Sequence, residues 1–361
     1  MTTNEGWTGR VLARRFQIRE PLGRGGMAEV YLAFDTRLGR NVAVKILRTD
    51  VRSPVDIGAR LLREARTIAQ IVHPHVVSVY DVIEQGGVIF IIMELLVGRG
   101  IDQLLTGSQP LGAELVLEIS RQVASALIAA HRLGVVHRDV KPENIFLLDT
   151  HAGILAKLLD FSLARVQGSE DTQRLARKGI IVGTPHYMAP EQITASNVGP
   201  STDLYALGVV MFEMLTGRLP YVGENSHAIL LAHRGADIPR VEDHRDDLPM
   251  GLSDLVFEMM QKRPLDRPAN ADVVVNRLSA MLLALKEQAL SGRSLQEANQ
   301  NTRTYGRRSS SRRSVSDARK VEMTMQLGTN SIDEARREIA RRTGKPAPAT
   351  PSPPTNGPSG S

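Results

Sequence analysis

The chain has 361 residues, a net charge of +6, 42% hydrophobic and 23% charged residues, and no cysteine. This is average composition for a globular protein of one large or two ordinary domains, and it excludes disulfides, thiolate catalysis and cysteine-ligated zinc or iron–sulfur sites. The charge is uneven: residues 291–345 carry 13 Lys/Arg against 6 Asp/Glu, an excess of seven that leaves the remainder at −1, so pI is no argument for nucleic-acid binding by the main body.

Residues 1–19 have scattered polar groups and no apolar signal core, and no run reaches the ~18 apolar residues of a membrane span. No transmembrane segment and a cytoplasmic location are therefore expected. Residues 1–15 read as an N-terminal extension. From 16 to 93 the pattern is one of short strands: Phe16-Gln17-Ile18 before a glycine-rich turn, then Val30-Tyr31-Leu32-Ala33 and Asn41-Val42-Ala43-Val44-Lys45-Ile46, with two more over 76–82 and 88–93. One helix interrupts them, with Leu61, Leu62, Ala65, Ile68 and Ala69 at helical spacing, and the His73-Pro74 step is expected to end it.

From Ile101 onward helices dominate, over 115–133 with Gly134 as a stop, then 201–215, 252–260 and 271–290. The expected class is α+β, a small β-rich lobe joined to a larger helical one. After 291 Arg, Ser, Asn and Gln prevail, and 346–361 is almost all Pro, Ala, Thr, Ser and Gly. That composition buries too little apolar surface to offset ordering entropy, so 291–361 reads as a disordered tail. Within it Ser331-Ile332-Asp333-Glu334 is a capping box for a short, marginal helix.

Several stretches carry chemistry. Leu22-Gly23-Arg24-Gly25-Gly26-Met27-Ala28-Glu29-Val30 lets main-chain N–H groups approach phosphate where no Cβ intrudes. It precedes a strand, which argues against a dinucleotide-binding βα turn. Lys45, in Val42-Ala43-Val44-Lys45, needs an anion if it faces inward, and Glu64 on the following helix can supply one. Taken alone it reads more readily, by about two to one, as a surface lysine at a strand edge. Nine histidines without cysteine form no convincing metal cluster.

The stretch Val136-His137-Arg138-Asp139-Val140-Lys141-Pro142-Glu143-Asn144 decides the matter. With it, Asp160-Phe161-Ser162 and Met188-Ala189-Pro190-Glu191, joined by Asp203 and Arg267, the chain resembles the eukaryotic-like (Hanks-type) protein kinases over 16–285. Its wording is most similar to the bacterial serine/threonine kinases. The resemblance implies the bilobal protein-kinase fold, an N-lobe over about 16–94 and a C-lobe over about 97–285. It implies transfer of the γ-phosphoryl group of ATP to Ser/Thr hydroxyls of protein substrates.

The resemblance also assigns roles. Asp139 orients the substrate hydroxyl and accepts its proton, Lys141 offsets charge on the transferred group, and Lys45, held by Glu64, grips the α- and β-phosphates. Asn144 and Asp160 ligate Mg²⁺. The glycine-rich segment from Leu22 to Val30 covers the nucleotide, while Ala43, the gatekeeper Met93 and the hinge residues Glu94 and Leu96 surround adenine. His137 is structural, packing near Phe161. Lys141 and Thr184 favour serine/threonine over tyrosine.

Arg138 before Asp139 marks control by activation-loop phosphorylation, with Thr172 and then Ser169 as the expected autophosphorylation sites. Self-association for that reaction is allowed, and dimerisation through the small lobe is left open. Arg307-Arg308-Ser309-Ser310 and Arg313-Ser314-Val315-Ser316 in the tail read as basic-directed phosphosites or as a non-specific anion-binding stretch, with no specific nucleic-acid partner. Ser162, in place of the usual glycine, supports a rival reading as a pseudokinase scaffold.

Overall fold

The computed structural model describes residues 6–24, 28–48, 55–151, 153–161, 185–194 and 196–308. The chain divides into two units, Met1–Gln296 and Glu297–Ser361. In the second the described residues, 297–308, belong to the last helix.

The alternating hydrophobics of the first third build a six-stranded antiparallel sheet in the order β1-β2-β3-β4-β6-β5. Its strands are β1 (Val11–Leu12), β2 (Phe16–Arg24), β3 (Ala28–Asp35), β4 (Arg40–Arg48), β5 (Val79–Gln85) and β6 (Val88–Met93). One face buries Ile18, Tyr31, Ala33, Val42, Val44, Ile46, Phe90 and Ile92 in a single core. Towards one end of the other face, helix α1 (Val55–Ile68) sets Ala65 against Leu47, Ile89 and Ile91. Period-two alternation therefore sends Ala43 and Lys45 to the face opposite Val42 and Val44.

The stretch before Phe16 joins this sheet. Val11 pairs with Gln17 and Leu12 with Phe16, and Leu12 is buried in the same core. A two-residue turn at Ala13 and Arg14, both at positive φ (48° and 54°), reverses the chain. It is closed by the Arg15 N–H on the Leu12 carbonyl at 2.8 Å. Arg15 then clamps Asp35 with two bonds, at 2.8 and 2.6 Å.

Helix α1 ends at Ile68, before the His73-Pro74 step from which the sequence places its end. The last turn tightens there, with Gln70 N–H donating to Thr67 O and Ile71 N–H to Ile68 O, each at 3.0 Å. The strand expected over 76–82 begins only at Val79, because His75 and Val77 bond to Leu158 of the helical lobe instead and pair Val76 with it.

The helical lobe holds α2 (Asp102–Leu105), α3 (Ala113–Arg132), α4 (Pro190–Ile193), α5 (Pro200–Thr216), α6 (Ser226–Gly235), α7 (Leu252–Met259) and α8 (Ala271–Arg308). Helix α5 is buried almost all round, as a central helix with no polar stripe must be. Gly217 ends it at φ +69°, and a Cβ there would run into the Ser108 carbonyl. Helix α8 continues past Ser291, where the composition shifts, to Arg308. The remainder of the expected tail, 309–361 with its capping box and serines, lies outside the described residues.

Three short strands that periodicity does not announce cross this lobe: β7 (Arg99–Gly100), β8 (Ile145–Thr150) and β9 (Gly153–Leu158), in the order β7-β8-β9. Asn144 immediately precedes β8, and Asp160 follows β9 by two residues. This hairpin delivers both expected metal ligands.

Candidate active site

The strand register gathers the small-lobe residues. Gly23 pairs with Val30 and Arg24 with Glu29 across the β2–β3 hairpin. Gly25, Gly26 and Met27 at its tip lie outside the described residues. Val30 pairs with Lys45 and Leu32 with Ala43, while Ala43 pairs with Met93 and Lys45 with Ile91. Directly paired residues share a face, so Val30, Ala43, Lys45 and Met93 line one surface. Leu22 and Ala28 frame the hairpin. Leu32 joins that surface, two residues from Val30, where alternation alone points to it. Glu94 and Leu96 follow in the connection to the helical lobe, and the Glu94 N–H donates to Ser78 O at 2.9 Å. Glu64 is half-buried on α1. The acid on which Lys45 closes, at 2.7 Å, is Asp160.

The loop 137–144 is held from below by α5. Asp203, 1% exposed, accepts the N–H groups of His137 at 2.8 Å and Arg138 at 2.7 Å, and His131 Nε2 at 2.7 Å. Arg138 has φ +65°, a left-handed conformation that residues other than glycine rarely adopt unless the surroundings hold them there. The Asp203 bond supplies one constraint, and Gln192 Nε2, which donates to the Arg138 carbonyl at 2.9 Å, supplies another. No chemistry-bearing motif of the sequence includes Gln192. Its only signal is its place directly after the Ala189-Pro190-Glu191 motif.

His137 is buried, with its ring 4.6 Å from that of Phe161. Burial pushes its pKa down against the pull of Asp203, the Leu159 carbonyl, Asp139 and Asp160. The neutral ring donates from Nε2 to Leu159 O at 2.6 Å and accepts the Asp139 N–H at Nδ1 at 3.3 Å. It joins the loop to the strand that leads to Asp160, and its role is structural.

Two of the expected site residues, Lys141 and Asn144, meet at Asp139. Lys141 Nζ lies 2.9 Å from Asp139 Oδ2, and Asn144 Nδ2 donates to the same oxygen at 3.0 Å and to the Asp139 carbonyl at 2.8 Å. Leu159 N–H donates to Asn144 O at 2.8 Å, tying this cluster to Asp160. Asp160 itself sits at φ +50°. Among the described residues no group of three or more His, Asp or Glu forms a metal cage. The donor set is one carboxylate and, since Asn144 Nδ2 is committed to Asp139, one amide oxygen. Two hard oxygens fit a divalent cation whose remaining ligands come from phosphates and water.

Beyond the cleft, Arg267 forms a buried bidentate pair with Glu191, at 2.7 and 2.8 Å. Burial pushes the Glu191 pKa up, but the Arg267 bonds outweigh it and leave it lowered. Ser162, Ser169, Thr172 and Thr184 lie outside the described residues.

The sequence model described as protein kinase domain matches residues 16–278. The chain belongs to the protein kinase family. The kinase is 35% identical over 279 residues to the serine/threonine-protein kinase PknL of Mycobacterium tuberculosis, covering 77% of this chain and 68% of that protein. It is 37% identical to serine/threonine-protein kinase pkn2 of Myxococcus xanthus over 76% of this chain and 33% of that one. For PrkC of Bacillus subtilis the identity is 36% over 73% and 40%. The kinase thus spans about a third to two-fifths of the length of the last two. Its fold is that of the PknI kinase domain of Mycobacterium tuberculosis, with TM-score 0.60 and 26% identity over 76% of this chain and 98% of that one. The family uses ATP with a divalent metal ion. No described helix is long and apolar enough to cross a membrane.

Proposed function

We propose that this kinase is catalytically active on serine and threonine hydroxyls of proteins, with ATP and Mg²⁺. The observation that carries the reading is Asp139, fixed between Lys141 and Asn144 while Lys45 closes on Asp160. In the proposed reaction the substrate hydroxyl oxygen attacks the γ-phosphorus, the bond to ADP breaks, and the hydroxyl proton passes to the Asp139 carboxylate. Lys141 opposes the charge developing on the transferred group. Lys45 moves from Asp160 to the α- and β-phosphates, with Glu64 as its partner. Val30, Ala43 and Met93 pack on adenine, and Glu94, whose N–H is taken by Ser78, offers its carbonyl. Leu22, Gly23, Arg24, Gly25, Gly26, Met27, Ala28 and Glu29 cover the phosphates. When bound, Mg²⁺ neutralises phosphate charge, and Asp160 and Asn144 hold it.

The chemistry of every described position in the motif set supports activity. The scaffold alternative rests on Ser162 alone. Autophosphorylation at Thr172 and Ser169, with self-association to bring one loop to another active site, is part of the proposal. Its support is Arg138 beside Asp139. A cytoplasmic location is also part of it, supported by the cysteine-free sequence.

The test is incubation of the full chain with labelled ATP and Mg²⁺ beside D139N, followed by mapping of labelled residues. Label in the wild type alone supports the reading. Label in neither, with ADP still bound, overturns it in favour of a scaffold.

A further inference from the structure

Lys157 plays no part in the reading of the reaction, yet it is 7% exposed. A buried lysine is unfavourable unless its ammonium is paired. Its Nζ donates to Glu94 Oε2 at 2.9 Å and to Val76 O at 3.3 Å. The same Glu94 oxygen accepts the Ser78 N–H at 3.2 Å. The side chain of the residue that joins the lobes is therefore held from both sides, by a cation of β9 and by a main-chain donor of the small lobe.

The segment behind it is fastened in the same way. Val77 N–H donates to Leu158 O at 3.1 Å, and Leu158 N–H to His75 O at 2.8 Å. His75 Nδ1 donates to Ala156 O at 3.0 Å. The His73 ring bonds Ser125 of α3 at 3.2 Å. From the end of β9 the chain continues through Leu159 to Asp160. One buried amine thus links the hinge glutamate to the strand that delivers a metal ligand.

We propose that Lys157 is a positioning residue for the nucleotide. Through the Glu94 carboxylate it holds the connection between the lobes in the shape that offers the main chain of Glu94 and Leu96 to adenine. The inference rests on reading those two residues as the adenine contact. Lys157 itself touches neither the nucleotide nor the reacting atoms. Its effect is to order the hinge before binding, so that binding does not bear that cost.

The test compares wild type, K157M, K157R, E94Q and the K157M/E94Q double variant by calorimetry, with two probes in Mg²⁺: ADP, and inorganic tripolyphosphate, which has no base. K157M is expected to weaken ADP roughly three- to tenfold, less than the full worth of one lost charge-assisted hydrogen bond because Lys157 acts only through Glu94, and to leave tripolyphosphate unchanged. The KM for ATP rises by the same factor while kcat holds. K157R restores most of the affinity. The double variant is no worse than K157M, as expected for residues that act as a pair.

If K157M does not fold, E94Q, which keeps the side-chain shape, is expected likewise to weaken ADP and to leave tripolyphosphate unchanged. ADP affinity unmoved in both single variants overturns the proposal. So does equal weakening of both probes, which marks general loosening, or additive effects in the double variant. A wild type that binds tripolyphosphate but not ADP overturns the adenine reading itself, an outcome distinct from the others.

Discussion

The carboxylate of Asp203 accepts the main-chain N–H of Arg138 at 2.7 Å, so the most buried of the described helices dictates the turn that presents Asp139. The bond reaches 65 residues along the chain and holds a non-glycine residue at φ +65°. D203N retains one acceptor oxygen and puts an amide where the carboxylate takes either the His137 N–H or the Arg138 N–H. We expect kcat to fall on the order of ten- to a hundredfold, since small misplacements of a catalytic group are that costly. ADP affinity, measured by calorimetry, should change little.

The Arg267–Glu191 pair lies outside the cleft and is fully enclosed. Removing one partner leaves an uncompensated buried charge, which costs about 3–5 kcal/mol. R267M should lower the urea midpoint accordingly, and E191Q/R267M should recover part of the loss. A variant R267M with an unchanged midpoint refutes this account.

Lys262 donates to the Tyr221 hydroxyl at 2.8 Å and to Ala232 O at 3.3 Å. Burial, reinforced by Arg267, lowers its pKa to about 8. Because the folded pKa is depressed below the ordinary lysine value, the unfolded chain binds more protons than the folded one above pH 8. Stability should therefore rise between pH 8 and 10 from this group, and below pH 8 its contribution is constant. K262M should remove that alkaline rise. The readout is the slope of the urea midpoint against pH, compared between the two proteins.

Asp35 responds in the opposite direction. The Arg15 hydrogen bonds, aided by the Arg37 and Leu38 N–H groups, outweigh its burial and lower its pKa to about 2. Its stabilising contribution is complete above the unfolded value near 4 and is lost as pH falls towards 2. D35N should melt at lower temperature at pH 7, and the difference from wild type should shrink as the pH approaches 2. Circular dichroism melts across that range decide it.

The His137–Asn144 loop, the Lys45 strand and the Asp160 and Glu191 motifs were legible from the sequence because phosphoryl transfer needs particular groups at particular offsets, and those offsets are local. Alternation in β3, β4 and β6 likewise foretold which residues share a face. Arg15 and Gln192 carry no comparable signal. Each acts through a partner far along the chain, Asp35 and Arg138, and no local pattern announces either contact, Gln192 being marked only by its place after the Ala189-Pro190-Glu191 motif.

The sequence by itself determined the family, the order of strands and helices in the main elements, and which residues are the candidate reacting groups, since these depend on residue type and short-range spacing. Only the tertiary structure decided that Lys45 closes on Asp160, that Asp203 and Gln192 together constrain Arg138, and that Lys157 pins Glu94. Hydrogen bonds and ion pairs form between groups within about 3 Å, and which distant segments come that close is set by packing of the core, not by any local pattern.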